Sequence, residues 1–337
     1  MNYSFRNLVF EGGGVKGIAY VGALHVLEDK DILKNIRRVG GTSAGSIVAL
    51  LVGLNYSLEE IEAILKDLDF KEFLDDSWGV LRDITRLVTN YGWYKGDSFR
   101  NWLNQIIATK TGNPRATFKD IADADASKGF KEMYFISTNL STRESEVFSN
   151  KKTETMSLAD AVRISMSIPL FFEAIKQSNN NVYVDGAVIE NYPIKLFDRL
   201  EYVQHFSTEP EYYMKHNIAL AETNPYVFNK ETLGFRLDSK TEIALFKDPT
   251  NLAHHKIDNL FTYSWSLIEI FIENQQRQHL HSDDWQRTIY IDTLGVKTTQ
   301  FDIDNEKKAA LVKSGIECTN HYFEWFDNPK NDVYSRP

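Results

Sequence analysis

Apolar runs of strand length alternate with helical patterns along the first 200 residues of the chain. The stretches at residues 8–10, 36–41 and 131–139 have the length of strands, and each contains apolar residues, as is typical of strands buried in a sheet. Small and apolar residues at helical spacing follow the first two runs, at residues 18–30 and 46–54. This alternation predicts an α/β fold with a mainly parallel central sheet covered by helices on both faces.

Capping and pairing signals extend this pattern. Ser57 and Glu60 form the sequence of a capping box, which predicts a helix that ends near residue 68. Ser157 is expected to cap a short helix, and residues 144–148 are expected to pair with the strand before them. The first 200 residues therefore contain signals for both strands and helices of one α/β unit.

The chain changes character beyond residue 200. Residues 201–229 are rich in tyrosine, asparagine and glutamate with weak periodicity, which predicts a long irregular connection. Residues 252–281 contain an amphipathic helical pattern, and a last helix is predicted from about residue 304 to 326. We expect these helices to complete or cover the α/β core.

Aromatic residues are concentrated between residues 70 and 102, where three of the six tryptophans lie. One interpretation is a helical insertion packed on the sheet edge, and the other is a lid or acyl-chain wall at a lipid interface. The side chains expected to meet lipid in the second case are Trp78, Tyr91, Trp93, Tyr94 and Trp102.

Charge and composition exclude several classes of protein. The net charge of −9 argues against nucleic-acid binding and against purely electrostatic attraction to anionic lipid. The one cysteine, Cys318, excludes an internal disulfide and fits a reducing compartment. We find no signal-peptide pattern and no apolar run of the roughly 20 residues that span a bilayer. The expected location is therefore cytoplasmic or peripheral to a membrane, and the oligomeric state is not indicated.

A glycine-rich segment follows the first predicted strand. Three consecutive glycines, Gly12, Gly13 and Gly14, allow main-chain N–H groups to point at one spot without obstruction by side chains. An oxyanion hole requires fixed donors of this kind. The segment is therefore a candidate site for stabilising negative charge.

The same glycines permit another interpretation. Gly12, Gly14 and Gly17 fit the G-x-G-x-x-G pattern of dinucleotide-binding proteins, and Arg37 and Arg38 follow at a distance suited to a 2′-phosphate. A P-loop is excluded, because the lysine of this segment is followed by glycine rather than serine or threonine. A dinucleotide site thus stays an alternative at this point.

A G-x-S-x-G pattern at residues 41–45 joins the second predicted strand to a helix. Gly41 and Gly45 give the backbone room for a tight turn, and Ser43 lies at a helix N-terminus. The helix dipole and the free N–H groups there favour negative charge. Ser43 is therefore a candidate nucleophile.

Asp185 ends a predicted strand at residues 182–185, just before a turn of small residues. An acid at the end of a strand in a parallel sheet points into the crevice where open α/β sheets bind ligands. The alternative is an aspartate that only caps its turn.

Together these motifs resemble the patatin-like phospholipase family. Residues 12–17 resemble its glycine-rich oxyanion motif, residues 41–45 its nucleophile elbow, and residues 185–187 its aspartate motif. Residues 161–172 resemble the segment that precedes the aspartate. Lys16 stands where the family usually has arginine, which keeps the charge but loses bidentate geometry.

The resemblance implies a three-layer patatin-like fold, with a catalytic domain over residues 1–200 and a C-terminal region over 201–337 that completes or covers the same unit. It implies a Ser43–Asp185 dyad, no metal and no organic cofactor. The Asp185 pKa should be raised by burial, because a solvated aspartate is a poor base towards an alcohol. The residues implied for the oxyanion hole are Gly12, Gly13, Gly14, Lys16 and Gly17.

The expected function is that of a lipid acyl hydrolase of phospholipase A or lysophospholipase type, with a phospholipid or other acyl lipid as substrate. A catalytically silent lipid-binding or regulatory protein on the same fold is the alternative. A Ser–His–Asp triad also stays open, because histidines follow Asp185 in the chain. They are His205, His216, His254, His255, His279, His281 and His321.

Overall fold

The computed structural model describes residues 3–73, 91–178, 180–203, 225–238, 283–298 and 300–328, with isolated positions at 213, 214, 217, 257, 263, 266, 267 and 270. The strands within these ranges are β1 (Asn7–Phe10), β2 (Arg38–Thr42), β3 (Gly92–Tyr94), β4 (Glu132–Asn139), β5 (Glu144–Ser149), β6 (Leu170–Phe172), β7 (Ile175–Lys176), β8 (Val182–Asp185), β9 (Thr232–Asp238) and β10 (Thr288–Asp292). The α-helices are α1 (Ala19–Asp29), α2 (Ala44–Gly53), α3 (Leu58–Asp67), α4 (Asp97–Thr111), α5 (Phe118–Ala122), α6 (Asn150–Thr153), α7 (Leu158–Ser165) and α8 (Asn305–Phe326).

The central sheet has the strand order β10-β9-β1-β2-β4-β8-β7, with β5 also paired to β4. The five strands from β10 to β4 are parallel to one another, whereas β5, β7 and β8 pair in antiparallel fashion. Helices flank this sheet, so the predicted α/β class is confirmed. β3 and β6 form a separate parallel pair.

The direction of β8 differs from the sequence expectation. We expected Asp185 to end a strand of the parallel array, but β8 runs antiparallel to β4. Asp185 pairs with Ser137 of β4, and Thr42 at the end of β2 pairs with the adjacent Ile136. β8 thus starts beyond the carboxyl edge of the parallel strands and ends level with β2, which brings Asp185 to the same edge from the opposite direction.

The hydrophobic core lies on both faces of the sheet. Leu8 and Phe10 of β1 belong to a large cluster that includes side chains of α1, α2 and α8. Val9 points to the other face, where it packs with Tyr134 and Phe197. Burial on both faces is the reason that Leu8, Val9 and Phe10 of β1 are all apolar.

Several predicted elements are confirmed. Ser57 and Glu60 exchange both hydrogen bonds of the capping box at the start of α3. Ser157 caps α7, and the last helix begins directly after its N-cap residue, Asp304. The predicted strand at residues 144–148 is β5, which pairs with β4 as expected.

The segment after residue 200 contributes to the same sheet. β9 lies beside β1 and β10 lies beside β9, while α8 packs against α1 and β10. The division of the chain near residue 200 stays a prediction. The predicted irregular connection at 201–229 and the predicted helix at 252–281 fall largely outside the described residues.

The aromatic segment is described in part. Phe73 and Phe99 are buried in the core and Trp102 is partly buried against it, whereas Tyr91 is 57% exposed. Residues 74–90, which include Trp78, and the side chain of Trp93 lie outside the described part. Among the described residues, no helix combines the length and the apolar character needed to cross a bilayer.

Candidate active site

The turn between β2 and α2 carries Ser43 in a strained backbone conformation. Its φ of 52° and ψ of −129° lie in a region that residues with a side chain rarely adopt. The turn is also tightly packed. A Cβ on Gly41 would overlap the Gly45 carbonyl, and a Cβ on Gly45 would overlap the Phe10 carbonyl of β1. The two glycines of the pattern are therefore required by close backbone approach.

The Ser43 hydroxyl lies against Asp185. Ser43 Oγ donates a hydrogen bond to Asp185 Oδ2 at 2.7 Å and lies 3.6 Å from Met166 Sδ. The Ser43 N–H donates to Ser165 Oγ at 3.0 Å, and Ser165 Oγ in turn donates to the Ile136 carbonyl at 2.6 Å. Ser165, at the end of α7, thus fixes the backbone of the turn.

Asp185 is almost completely buried, with 1% of its surface exposed. Its Oδ1 accepts a hydrogen bond from the Ala187 N–H at 2.8 Å. Burial raises the pKa of the Asp185 carboxyl from 3.8 to about 7, and the smaller effects of the hydrogen bonds from Ala187 and Ser43 oppose this shift. The carboxyl therefore changes its protonation state close to neutral pH.

The histidine alternative has little support among the described residues. His321 is exposed on α8, and the Asp185 carboxyl accepts hydrogen bonds from the Ser43 hydroxyl and the Ala187 N–H. The other six histidines that follow Asp185 lie outside the described residues: His205, His216, His254, His255, His279 and His281.

The glycine loop lies next to Ser43. A Cβ on Gly12 would lie 2.9 Å from Ser43 Cβ, so the loop and the elbow are in direct contact. The Gly12 N–H donates to the Asn191 carbonyl at 3.1 Å. The N–H groups of Gly13 and Gly14 have no acceptor within the described ranges. Of the three glycines, Gly13 and Gly14 are therefore the candidate oxyanion donors.

Lys16 and Gly17 lie in the short 3₁₀ helix that continues the loop. Lys16 is buried, its N–H donates to the Gly13 carbonyl, and its Nζ lies 3.4 Å from the Leu237 carbonyl of β9. A Cβ on Gly17 would make only an ordinary contact of 3.7 Å with Ala44 Cβ. The contacts of Lys16 with Gly13 and Leu237 hold the glycine loop to β9.

The arginines of the dinucleotide alternative lie at the wrong edge of the sheet. Arg38 pairs with Asn7, at the start of β1, whereas the glycine loop follows Phe10, at its end. Arg37 precedes Arg38 and is exposed. The geometry therefore does not bring these side chains to the glycine loop.

Asn191 was missed by sequence reasoning. It lies six residues beyond Asp185 and is 4% exposed. The neighbouring Glu11 side chain accepts a hydrogen bond at Oε2 from the Leu237 N–H at 2.8 Å, and burial raises the Glu11 pKa to about 7. The sequence signal for Asn191 was a single polar residue without a recognised spacing, which does not identify a contact partner.

Known proteins are similar in sequence to this chain. Uncharacterized protein YqhO of Bacillus subtilis is 28% identical over 329 residues, which cover 94% of this chain and 97% of YqhO. Lysophospholipase NTE1 of Kluyveromyces lactis is 28% identical over 187 residues, which cover 56% of this chain and 11% of the yeast protein. Two viral relatives are matched over 61% and 63% of their lengths.

The fold is also found among solved structures. The crystal structure of VipD from Legionella pneumophila matches with a TM-score of 0.62 at 18% identity, covering 95% of this chain and 67% of VipD. The model of the patatin-like phospholipase family matches residues 8–198, a range that contains the glycine loop, Ser43 and Asp185. Because this match covers more than half of the chain, the protein belongs to the patatin-like phospholipase family.

Proposed function

We propose that this chain is a serine lipid acyl hydrolase of phospholipase A or lysophospholipase type that acts through a Ser43–Asp185 dyad. The observation that carries the proposal is the 2.7 Å hydrogen bond from Ser43 Oγ to a buried Asp185 carboxyl with a pKa of about 7. A carboxylate with this pKa is a stronger base towards an alcohol than a solvated aspartate with a pKa near 4.

The first half of the cycle forms an acyl-enzyme. Asp185 accepts the proton of Ser43 as Oγ attacks the carbonyl carbon of an ester, and the carbonyl oxygen becomes negatively charged. The N–H groups of Gly13 and Gly14 stabilise this oxygen. The tetrahedral intermediate collapses with cleavage of the ester C–O bond, and the leaving alcohol takes the proton from Asp185.

The second half restores the enzyme. Asp185 accepts a proton from water, whose oxygen attacks the acyl-serine and forms a second tetrahedral intermediate. Collapse of this intermediate releases the fatty acid, while the Asp185 proton returns to Ser43 Oγ. The cycle thus needs one base and one set of N–H donors for both steps.

The lipid substrate and the membrane contact rest on the family and on surface chemistry. A lysophospholipase is among the relatives, and the acidic chain must meet lipid through apolar contacts. Tyr91 and Leu170 are 57% and 37% exposed, and Tyr91 directly precedes Gly92, which pairs with Leu170. We expect this pair to contact lipid, so that the protein binds membranes peripherally.

Ser43→Ala tests the proposal. We expect it to abolish hydrolysis of a lysophospholipid and of a soluble short-chain ester, and to abolish labelling by a fluorophosphonate probe, with an unchanged circular dichroism spectrum. The matched control is Ser314→Ala, which removes a buried hydroxyl from α8. It should keep labelling and activity.

Two outcomes would contradict the proposal. Full activity in Ser43→Ala would remove the proposed nucleophile. No hydrolysis of any ester by the unmodified protein, with lipid still bound, would support the silent lipid-binding alternative instead.

A further inference from the structure

One buried asparagine holds both peptide groups that flank Gly12. The Asn191 carbonyl accepts the Gly12 N–H at 3.1 Å, and Asn191 Nδ2 donates to the Gly12 carbonyl, also at 3.1 Å. Nδ2 also lies 3.3 Å from Glu11 Oε1. The backbone of Gly12 is therefore held at its donor and at its acceptor by the same residue.

The bond to the Gly12 carbonyl also orients the next N–H group. The Gly12 carbonyl and the Gly13 N–H belong to one peptide group, which is trans. In a trans peptide the C=O and N–H bonds point in opposite directions, so fixing one fixes the other. The Gly13 N–H, which has no acceptor in the described part of the chain, is thereby held in one direction.

Asn191 also connects the glycine loop with the other two parts of the site. Thr42 Oγ1, at the end of β2 and next to Ser43, donates to the carbonyl of Glu190 at 2.9 Å. A Cβ on Gly12 would overlap Asn191 Oδ1 and would also lie close to Ser43 Cβ, so the three residues are packed together. Residues 190 and 191, five and six residues after Asp185, therefore link the elbow to the glycine loop.

We propose that Asn191 is a positioning residue for the oxyanion hole, whose side-chain amide sets the orientation of the Gly12–Gly13 peptide for catalysis. This proposal rests on the proposed function, because it needs an oxyanion that forms when Ser43 attacks an ester. The Asn191 amide is expected to stabilise only the charged tetrahedral intermediate, through the Gly13 N–H. Loss of the Asn191 amide should therefore lower kcat and leave substrate binding nearly unchanged.

The test compares Asn191→Ala and Asn191→Asp with the unmodified protein. Alanine removes the donor, whereas aspartate keeps the volume but places an oxygen where Nδ2 faces the carbonyl of Gly12. Loss of one oxyanion donor costs on the order of 100-fold or more in kcat, and we expect a fall of roughly 100-fold in both variants. KM for a soluble ester should change little.

Two inhibitors separate positioning from general damage to the fold. A trifluoromethyl ketone forms a tetrahedral adduct with a serine and so needs the oxyanion donors, and its affinity should fall in parallel with kcat/KM. A non-hydrolysable ether lysolipid has no carbonyl to become charged, and its affinity should be unchanged. Equal losses for both inhibitors would overturn the proposal.

Asn229→Ala is the matched control. Asn229 is fully buried and its Nδ2 donates to the Phe197 carbonyl at 2.9 Å, but it precedes β9 at the opposite edge of the sheet from the glycine loop. We expect its melting temperature to fall while kcat per folded molecule is retained.

Failure of this inference is distinguishable from failure of the proposed function. If Ser43→Ala stays active, the proposed function fails whatever the Asn191 variants do. If Ser43→Ala is inactive and either folded Asn191 variant has the unmodified kcat, Asn191 does not position the loop. If neither variant folds under conditions where Asn229→Ala does, the role of Asn191 is in stability, and the proposal is likewise overturned.

Discussion

Replacement of Asp185 by asparagine should abolish activity and, at alkaline pH, stabilise the fold. The physical reason is the burial that raises the Asp185 pKa from 3.8 to about 7. A raised carboxyl pKa means that the folded state binds the proton more tightly than the unfolded state, so the free energy of unfolding falls as pH rises through this interval. Asparagine fits the same space without the charge and can keep hydrogen bonds to Ala187 and Ser43.

The magnitude follows from the two pKa values. Above pH 7 the ionised Asp185 costs about 4 kcal/mol of folding free energy, whereas near pH 5 about 2 kcal/mol of this cost is present. The difference in free energy of unfolding between Asp185→Asn and the unmodified protein should therefore grow in favour of the variant by about 2 to 3 kcal/mol between about pH 5 and about pH 9. At about 2.1 cal/mol/K of unfolding entropy per residue, this corresponds to roughly 4 °C in melting temperature for 337 residues.

The assay is thermal melting of both proteins across this pH range, with ester hydrolysis measured on the same samples. Other titrating groups, such as Glu11, are present in both proteins, so their contributions cancel in the difference. Activity should fall by several orders of magnitude, because the amide cannot accept the Ser43 proton. A melting difference that stays constant with pH, or that shrinks as pH rises, would refute this account of Asp185.

Three further predictions concern the base, the turn and the surface. The kcat/KM of the unmodified protein should rise with pH through about 7, because Asp185 must be ionised to accept a proton, and a pH-independent profile would contradict this. Gly45→Ala should destabilise the fold by about 3 kcal/mol or more, since its Cβ overlaps the backbone of β1, whereas Gly17→Ala should melt near the normal temperature. Tyr91→Ser should weaken vesicle binding about tenfold, at a cost of about 1.4 kcal/mol, and leave hydrolysis of a soluble ester unchanged. Equal vesicle binding would place the lipid contact elsewhere.

Part of the site could be predicted from the sequence, because its chemistry depends on neighbouring residues. The elbow at residues 41–45 and the glycine loop each occupy a few consecutive residues, and their requirements are local: a tight turn, a helix N-terminus and unobstructed N–H groups. Strand β1 could also be predicted, because burial on both faces requires the unbroken apolar run at residues 8–10. Caps such as Ser57 act within one helical turn, so they too are specified by neighbouring residues.

The contacts between segments that are distant in the sequence were decided only by the tertiary structure. The sequence indicated an acid at the end of a strand, but the antiparallel direction of β8 and the pKa of Asp185 depend on which strand lies beside it and on what covers it. The glycine triplet indicated main-chain N–H donors, but the sequence did not show that the Gly12 N–H is bonded to Asn191, from a segment almost 180 residues away. Periodicity and spacing indicate which local backbone structure a segment favours. Hydrogen bonds and burial between segments depend on their packing, and no local pattern carries that information.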